Sequence, residues 1–204
     1  MATKLEICNL ALQNVGANSI ESLNEGTAEA NACNIRYDTT RKALLEMNAW
    51  NFATKRVLLA AASVSPLYGF SKQYVLPADY IRLISTKEED VGGAVMSPTS
   101  PTLLPDDYRT EIAEDGNRVL LSEEDVKSIR YVFDQTDESK FSATFVELFA
   151  RLLGANIAYR VTNSKSMKEL ELGIFKAELT TSLASDAAQT VEDFSQHSVW
   201  VSDR

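Results

Sequence analysis

The chain has 204 residues, 45% of them apolar and 24% charged; 29 acidic side chains against 20 basic ones give a formal net charge of −9 and a pI near 4.7. Such a length can bury a real core without staples, which excludes disorder throughout and fits one domain, or one domain with a sizeable insertion. The acidity excludes a protein that wraps DNA tightly, because Lys and Arg must replace the counterions condensed on phosphate; it suits a merely soluble surface, or one past which DNA slides without sticking.

Two cysteines occur, Cys8 and Cys33, without C-x-x-C spacing. Both fall on apolar helix faces and read as small core residues, with no sign of an oxidising compartment. The opening MATKLEICNL has no signal-peptide hydrophobic region, and no apolar run approaches a membrane span. The expectation is a protein made in a cytosol that needs no membrane.

In chain order, Thr3 and Glu6 predict a capping box, and Leu5, Cys8, Leu12 and Val15 recur at helical spacing until Gly16 stops the helix. A second helix is predicted from Thr27, its stripe running through Ala30, Cys33, Tyr37, Thr40, Leu44 and Met47. Residues 44–59, LLEMNAWNFATKRVLL, close it oddly: Trp50 and Phe52 flank Asn51, and Lys55-Arg56 follow before more leucines.

The texture then changes. Residues 73–86 (QYVLPADYIRLIST) are rich in β-branched and aromatic residues with Pro77 as punctuation, and 92–105, with three prolines and two glycines, predict a loop. Residues 107–113 and 118–122 alternate around Asp115-Gly116, a hairpin signal. In 127–134 the alternation points Ile129, Tyr131 and Phe133 to one side.

A third helix is predicted from near Asp137, with Phe141, Phe145, Leu148, Leu152, Ala155 and Tyr159 as its stripe. Ala150, Gly154 and Ala158 form a second stripe of small residues, where another backbone can approach closely. Ser166 and Glu169 predict a capping box for a fourth helix, with Met167, Leu170, Ile174, Ala177, Thr181, Ala184 and Ala188 at unbroken three-four spacing. This face shrinks toward alanine, as a helix does that tapers against neighbours or another subunit.

The expected architecture is therefore α+β, mainly α: a four-helix body (1–61 and 135–190), an inserted small antiparallel β-sheet (62–134) and an extended C-terminal tail (191–204). The tail, with Val199, Trp200 and Val201 together, either folds back on its own domain or docks on a partner.

Catalytic signals are sparse. The single histidine, His197, lies in the tail, so a Ser-His-Asp or Cys-His site requires that tail to fold back. Cysteine and histidine are too few for a structural zinc site, and neither G-x-x-x-x-G-K-[ST] nor G-x-G-x-x-G occurs. Neither metal nor cofactor is expected, and no enzyme activity. Carboxylates are plentiful in Glu88-Glu89-Asp90, Asp106-Asp107, Glu114-Asp115, Glu123-Glu124-Asp125 and Asp137-Glu138. All fall in predicted turns, where water keeps them ionised, whereas a glycosidase keeps one of a pair protonated in a dry site.

Three segments carry a family resemblance. Residues 5–59 give a helix, a polar loop and a long helix closing on Trp50-Asn51-Phe52-Ala53; YVLPADYIRLI contains Leu76, Pro77, Asp79 and Leu83; and the stretch from VKSIRYVFDQTDESKF through LLGANIA to the fourth helix leads from a strand into a Phe-rich helix. Their order resembles the head-to-tail adaptor proteins of short-tailed phages, the tail tubular protein A family. Residues 87–117 match nothing in that pattern, and the tail is only loosely comparable.

The resemblance implies a virion protein at the head–tail junction that forms a ring (twelve copies in the family) between the portal protein and the tail nozzle protein. Such a ring extends the DNA channel and helps retain the packaged genome, with double-stranded DNA passing without specific binding. It further implies portal binding by the tail, through Phe194, His197, Val199, Trp200 and Val201. Subunit-interface or channel roles are then expected for Lys55, Arg56, Gly154, Ala184 and Ala188, while Trp50, Phe52, Phe141 and Phe145 read as structural core. The rival reading is a cell-wall glycan (peptidoglycan) hydrolase of the phage tail using a carboxylate pair.

Overall fold

A computed structural model describes residues 2–62, 65–86, 108–123, 125–126 and 128–188. Helix α1 spans Lys4–Asn14 and α2 Ala28–Met47. Both starts are where the sequence puts them. Thr3 Oγ1 accepts from the Glu6 N–H while Glu6 reaches back to the Thr3 N–H at 2.7 Å, so two orphan donors are satisfied reciprocally. Gly16, at φ +70°, ends the first helix.

A 3-10 turn at Asn51–Ala53 then leads into strand β1, Thr54–Leu58. The strands that follow are β2 Lys72–Val75, β3 Tyr80–Ser85, β4 Tyr108–Ile112, β5 Arg118–Ser122 and β6 Ser128–Phe133. Helix α3 spans Ala143–Thr162 and α4 Lys165–Ala188. The chain is α+β and mainly helical, as expected.

The strands form two antiparallel sheets where one was predicted: a first sheet ordered β1-β6-β3 and a second ordered β2-β5-β4. The apolar run 73–86 is cut at Leu76-Pro77-Ala78-Asp79, so its halves join different sheets. Proline cannot donate to a ladder, and the Pro77 carbonyl accepts the Tyr80 N–H at 3.0 Å, turning the chain instead. β1 lies before residue 62, so the first sheet starts inside the segment assigned to the helical body.

β6 alternates between two cores. Ile129, Tyr131 and Phe133 face a sheet core shared with Tyr74, Leu76 and Leu120, while Val132 faces the helical core. The first sheet is thus a middle layer, with helices on one face and the second sheet on the other. The β4–β5 hairpin forms at Asp115-Gly116, but only Gly116 has positive φ (+80°); Asp115 instead accepts from the Asn117 N–H at 2.9 Å.

Three helical expectations need correction. Asp137 caps a separate 3-10 turn, Glu138–Lys140, and Phe141 lies in the linker, so α3 starts at Ala143 with Ser142 as its cap. α4 starts before the predicted box: Ser164 Oγ accepts from the Met167 N–H, while Ser166 is already helical. The buried face of α4 holds Glu171, Phe175, Ser182 and Asp186, leaving Leu170, Ala177, Thr181 and Ala184 exposed. Two stripes one residue apart share the same spacing, and packing against α3 selects the one bearing Phe175. Met47 and Tyr159, at the ends of their predicted stripes, are also exposed.

Helix α3 is central, touching α1, α2 and α4. Ala150, Gly154 and Ala158 are buried, and a Cβ added to Gly154 would stand 3.0 Å from the Ala11 carbonyl oxygen and 3.3 Å from Val15 Cγ1. The close backbone approach is therefore real, but it is made to α1 of the same chain. Among the described residues no helix is long and apolar enough to cross a membrane.

Candidate functional site

The junction between helices and sheets begins at Trp50. Its side chain is fully buried, its indole N–H donates to the Leu44 carbonyl at 3.0 Å, and its ring meets Phe145 edge-on at 5.1 Å. Phe52 and Phe141 are half-buried and close the cluster, 5.5 Å apart and each about as near to Phe145. These residues have the core role expected of them. Asn51 between them turns outward and donates to the main-chain oxygen of Asp186 at 2.9 Å, which ties the far end of α4 to this corner. Burial raises the Asp186 carboxyl above its ordinary range, despite a neighbouring hydrogen bond.

One turn further, Asp79 of the Leu-Pro-x-Asp stretch becomes a hub. Its carboxylate accepts from Lys55 Nζ of β1 at 2.8 Å and from the Tyr131 hydroxyl of β6 at 2.9 Å, and its main-chain oxygen takes the Asp134 N–H at 2.8 Å. Burial pushes Asp79 up, but the hydrogen bonds from Lys55 and Tyr131 outweigh it and hold the carboxyl below its ordinary range. Burial, and then the Asp79 carboxylate, push the Tyr131 hydroxyl up to about 12, so it stays a donor at neutral pH. Lys55 Nζ also lies 3.7 Å from the centre of the Phe133 ring. Lys55 is therefore paired inside its own chain, where the sequence suggested a neighbour's carboxylate or a phosphate.

Arg56, the other half of the basic pair, points to the opposite face. It is exposed, has no ion-pair partner among the described residues, and lies directly across from Arg130 in the β1–β6 ladder. Arg82 of β3 shares this helix-side face through its pairing with Val132, and feels Glu46 at the end of α2. Sequence inspection did not find this grouping, because the three arginines are separated by up to 74 positions and only the strand order β1-β6-β3 assembles them.

A second buried ionic network was also missed. Arg41 is 3% exposed, lies 3.0 Å from Asp134 and donates to the Gln135 carbonyl at 3.0 Å, while Tyr37 donates to Glu138 at 3.2 Å. It locks α2 onto the segment leaving β6. Burial and the Glu138 carboxylate push the Tyr37 hydroxyl upward.

Of the remaining expected site residues, Gly154 is buried against α1 and Ala184 is exposed on α4. Ala188 is the last helical residue, its side chain outside what is described. Phe194, His197, Val199, Trp200 and Val201 lie outside the described residues, as do the loop 92–105, Glu88-Glu89-Asp90, Asp106-Asp107 and Glu124. Among the described acidic runs, Asp115 and Asp137 are held below their ordinary range by hydrogen bonds from Asn117 and Ser139, the reverse of what a proton-donating carboxylate needs. Cys8 and Cys33 are both buried in the helical core as free thiols. No group of three metal-binding side chains occurs among the described residues. No protein-family model matches this chain, and no curated protein does.

Proposed function

We propose that this chain is a structural head-to-tail adaptor of a short-tailed phage virion. In this reading it forms a ring that joins the portal protein to the tail nozzle protein, extends the DNA channel and helps retain packaged DNA before ejection. One observation carries most of the support. The three segments on which the resemblance rests meet at a single carboxylate, with Asp79 of the second binding Lys55 of the first and Tyr131 of the third. Motifs far apart in the chain thus behave as parts of one framework, which is what a shared fold requires of them.

The reading has a physical logic beyond resemblance. Ring subunits associate through two different patches, so a subunit needs two unlike surfaces. The acidic balance of the whole chain suits a channel wall past which DNA slides. The test is the mass of the purified protein, alone and mixed with its cognate portal protein, by mass photometry or native mass spectrometry. A ring that forms on the portal supports the adaptor reading. No association with the portal at any concentration removes it.

A further inference from the structure

Cys8 of α1 and Cys33 of α2 are far apart in the chain and face to face in the fold. The register of the two helices follows from a contact one turn away. Lys4 Nζ lies over the Tyr37 ring, 4.6 Å from its centre, which fixes one crossing pair. One turn forward along α1 and one turn back along α2 lead from that pair to Cys8 and Cys33, since residues four apart share a helix face. Three residues further, the same antiparallel register sets Ala11 opposite Ala30. Both cysteines and both alanines are fully buried. Two small pairs in succession let the backbones approach closely, which is the condition a disulfide sets.

The pair is also held in place from the loop that joins the helices. Asn9, next to Cys8, exchanges hydrogen bonds with both main-chain groups of Ile20, at 2.9 and 3.0 Å. Asn34, next to Cys33, donates to the Leu23 carbonyl at 2.6 Å. The Cys8 thiol donates a hydrogen bond to the Cys33 sulfur. That bond holds the Cys33 thiol below its ordinary value against the effect of burial, while the same contact, and burial with it, push Cys8 up. Cys33 is therefore the attacking sulfur of the two and Cys8 the resolving one.

We propose that Cys8 and Cys33 are a redox-sensitive staple, free thiols under reducing conditions and a disulfide joining α1 to α2 once a hydroperoxide reaches them. With hydrogen peroxide, the Cys33 thiolate attacks one oxygen, the O–O bond breaks, and a sulfenic acid and one water result. The Cys8 sulfur then attacks the sulfenic sulfur, the S–O bond breaks, and a second water leaves. Each sulfur gives up one electron, the peroxide takes both, and the two thiol protons end in water. Because both sulfurs are buried, the reaction proceeds through local opening of α1 and its rate follows that opening. The staple is a property of the chain and stands or falls apart from the adaptor reading.

Intact mass tests it. The full chain, purified in dithiothreitol and then treated with hydrogen peroxide, should lose two hydrogens, about 2 Da. An unreduced digest should show the peptides containing Cys8 and Cys33 joined. Closing a loop of about 25 residues constrains the unfolded chain and should raise Tm by roughly 5–10 °C. Dithiothreitol should return both mass and Tm to their starting values. C8S and C33S should each form no internal link and gain no stability under the same treatment; the wild-type mass decides the question even where a variant fails to fold.

Oxygen added to either sulfur without the link overturns the proposal, as do disulfide-joined dimers in place of an internal link. Thiols that react only after unfolding in urea overturn it too, because the folded chain would then not present the pair to an oxidant. An internal link that lowers Tm would be damage to the core, and the staple would be struck out.

Discussion

Trp50 and Asp79 each close a junction, and they do so with different chemistry. Around Trp50 the chain stacks aromatic rings against α3 and spends one polar group, the indole N–H, on a main-chain carbonyl. Around Asp79 a half-exposed carboxylate, an ammonium group and a phenol hold β1, β3 and β6 together. The Trp50 corner therefore draws its stability from dry packing, which is large and insensitive to pH and salt. The Asp79 junction is fastened by groups that titrate and are screened, so of the two junctions it is the one that can be adjusted from outside.

The sharpest way to break this contrast is Trp50→Ala. Removing a fully buried indole should cost about 3–5 kcal/mol, read as a lower urea midpoint. A loss below about 1 kcal/mol would put the ring outside the load-carrying core. Next comes Gly154→Leu, which drives a side chain into the Ala11 carbonyl and Val15; overpacking of this kind typically costs about 1–3 kcal/mol and should appear as a lower Tm.

Asp79→Asn should cost less, about 1 kcal/mol, because the carboxylate is 35% exposed and solvent screens it. Its signature is pH. A carboxyl held below its ordinary range adds stability that is present above the unfolded value, near pH 4, and is lost as pH falls through the folded value. The difference in unfolding free energy between wild type and Asp79→Asn should therefore be full at pH 7 and vanish in acid; a constant difference would mean that the hydrogen-bond geometry, not the charge, matters. The smallest effect belongs to Arg56→Ala, which should leave monomer stability within about 0.5 kcal/mol. A larger loss would show that Arg56 serves its own fold.

Much of the helical architecture was legible. Thr3 with Glu6, Gly16 and Thr27 are local signals, because a capping side chain answers to backbone groups three residues away. Phe145 could be assigned to the core from its helical spacing, and Trp50 as a large ring where the helical body turns toward the sheet. The register of α4 was not legible. Two stripes one residue apart both satisfy the spacing, and only contact with α3 buries Phe175, and Glu171 against Arg151, in place of Leu170. The division of 73–86 between two sheets was equally hidden: Pro77 announces a turn, but not which ladder each half will join.

The sequence by itself therefore determined the caps of the first two helices, the hairpin at Asp115-Gly116 and the mainly helical α+β class, because these depend on neighbours within about four residues. Only the tertiary structure decided what the polar residues between them are for. Lys55 and Arg56 are adjacent in the chain, yet alternation in β1 sends one to Asp79 and Phe133 and the other to the opposite face beside Arg130. Adjacency fixed their charge, but strand order fixed their partners.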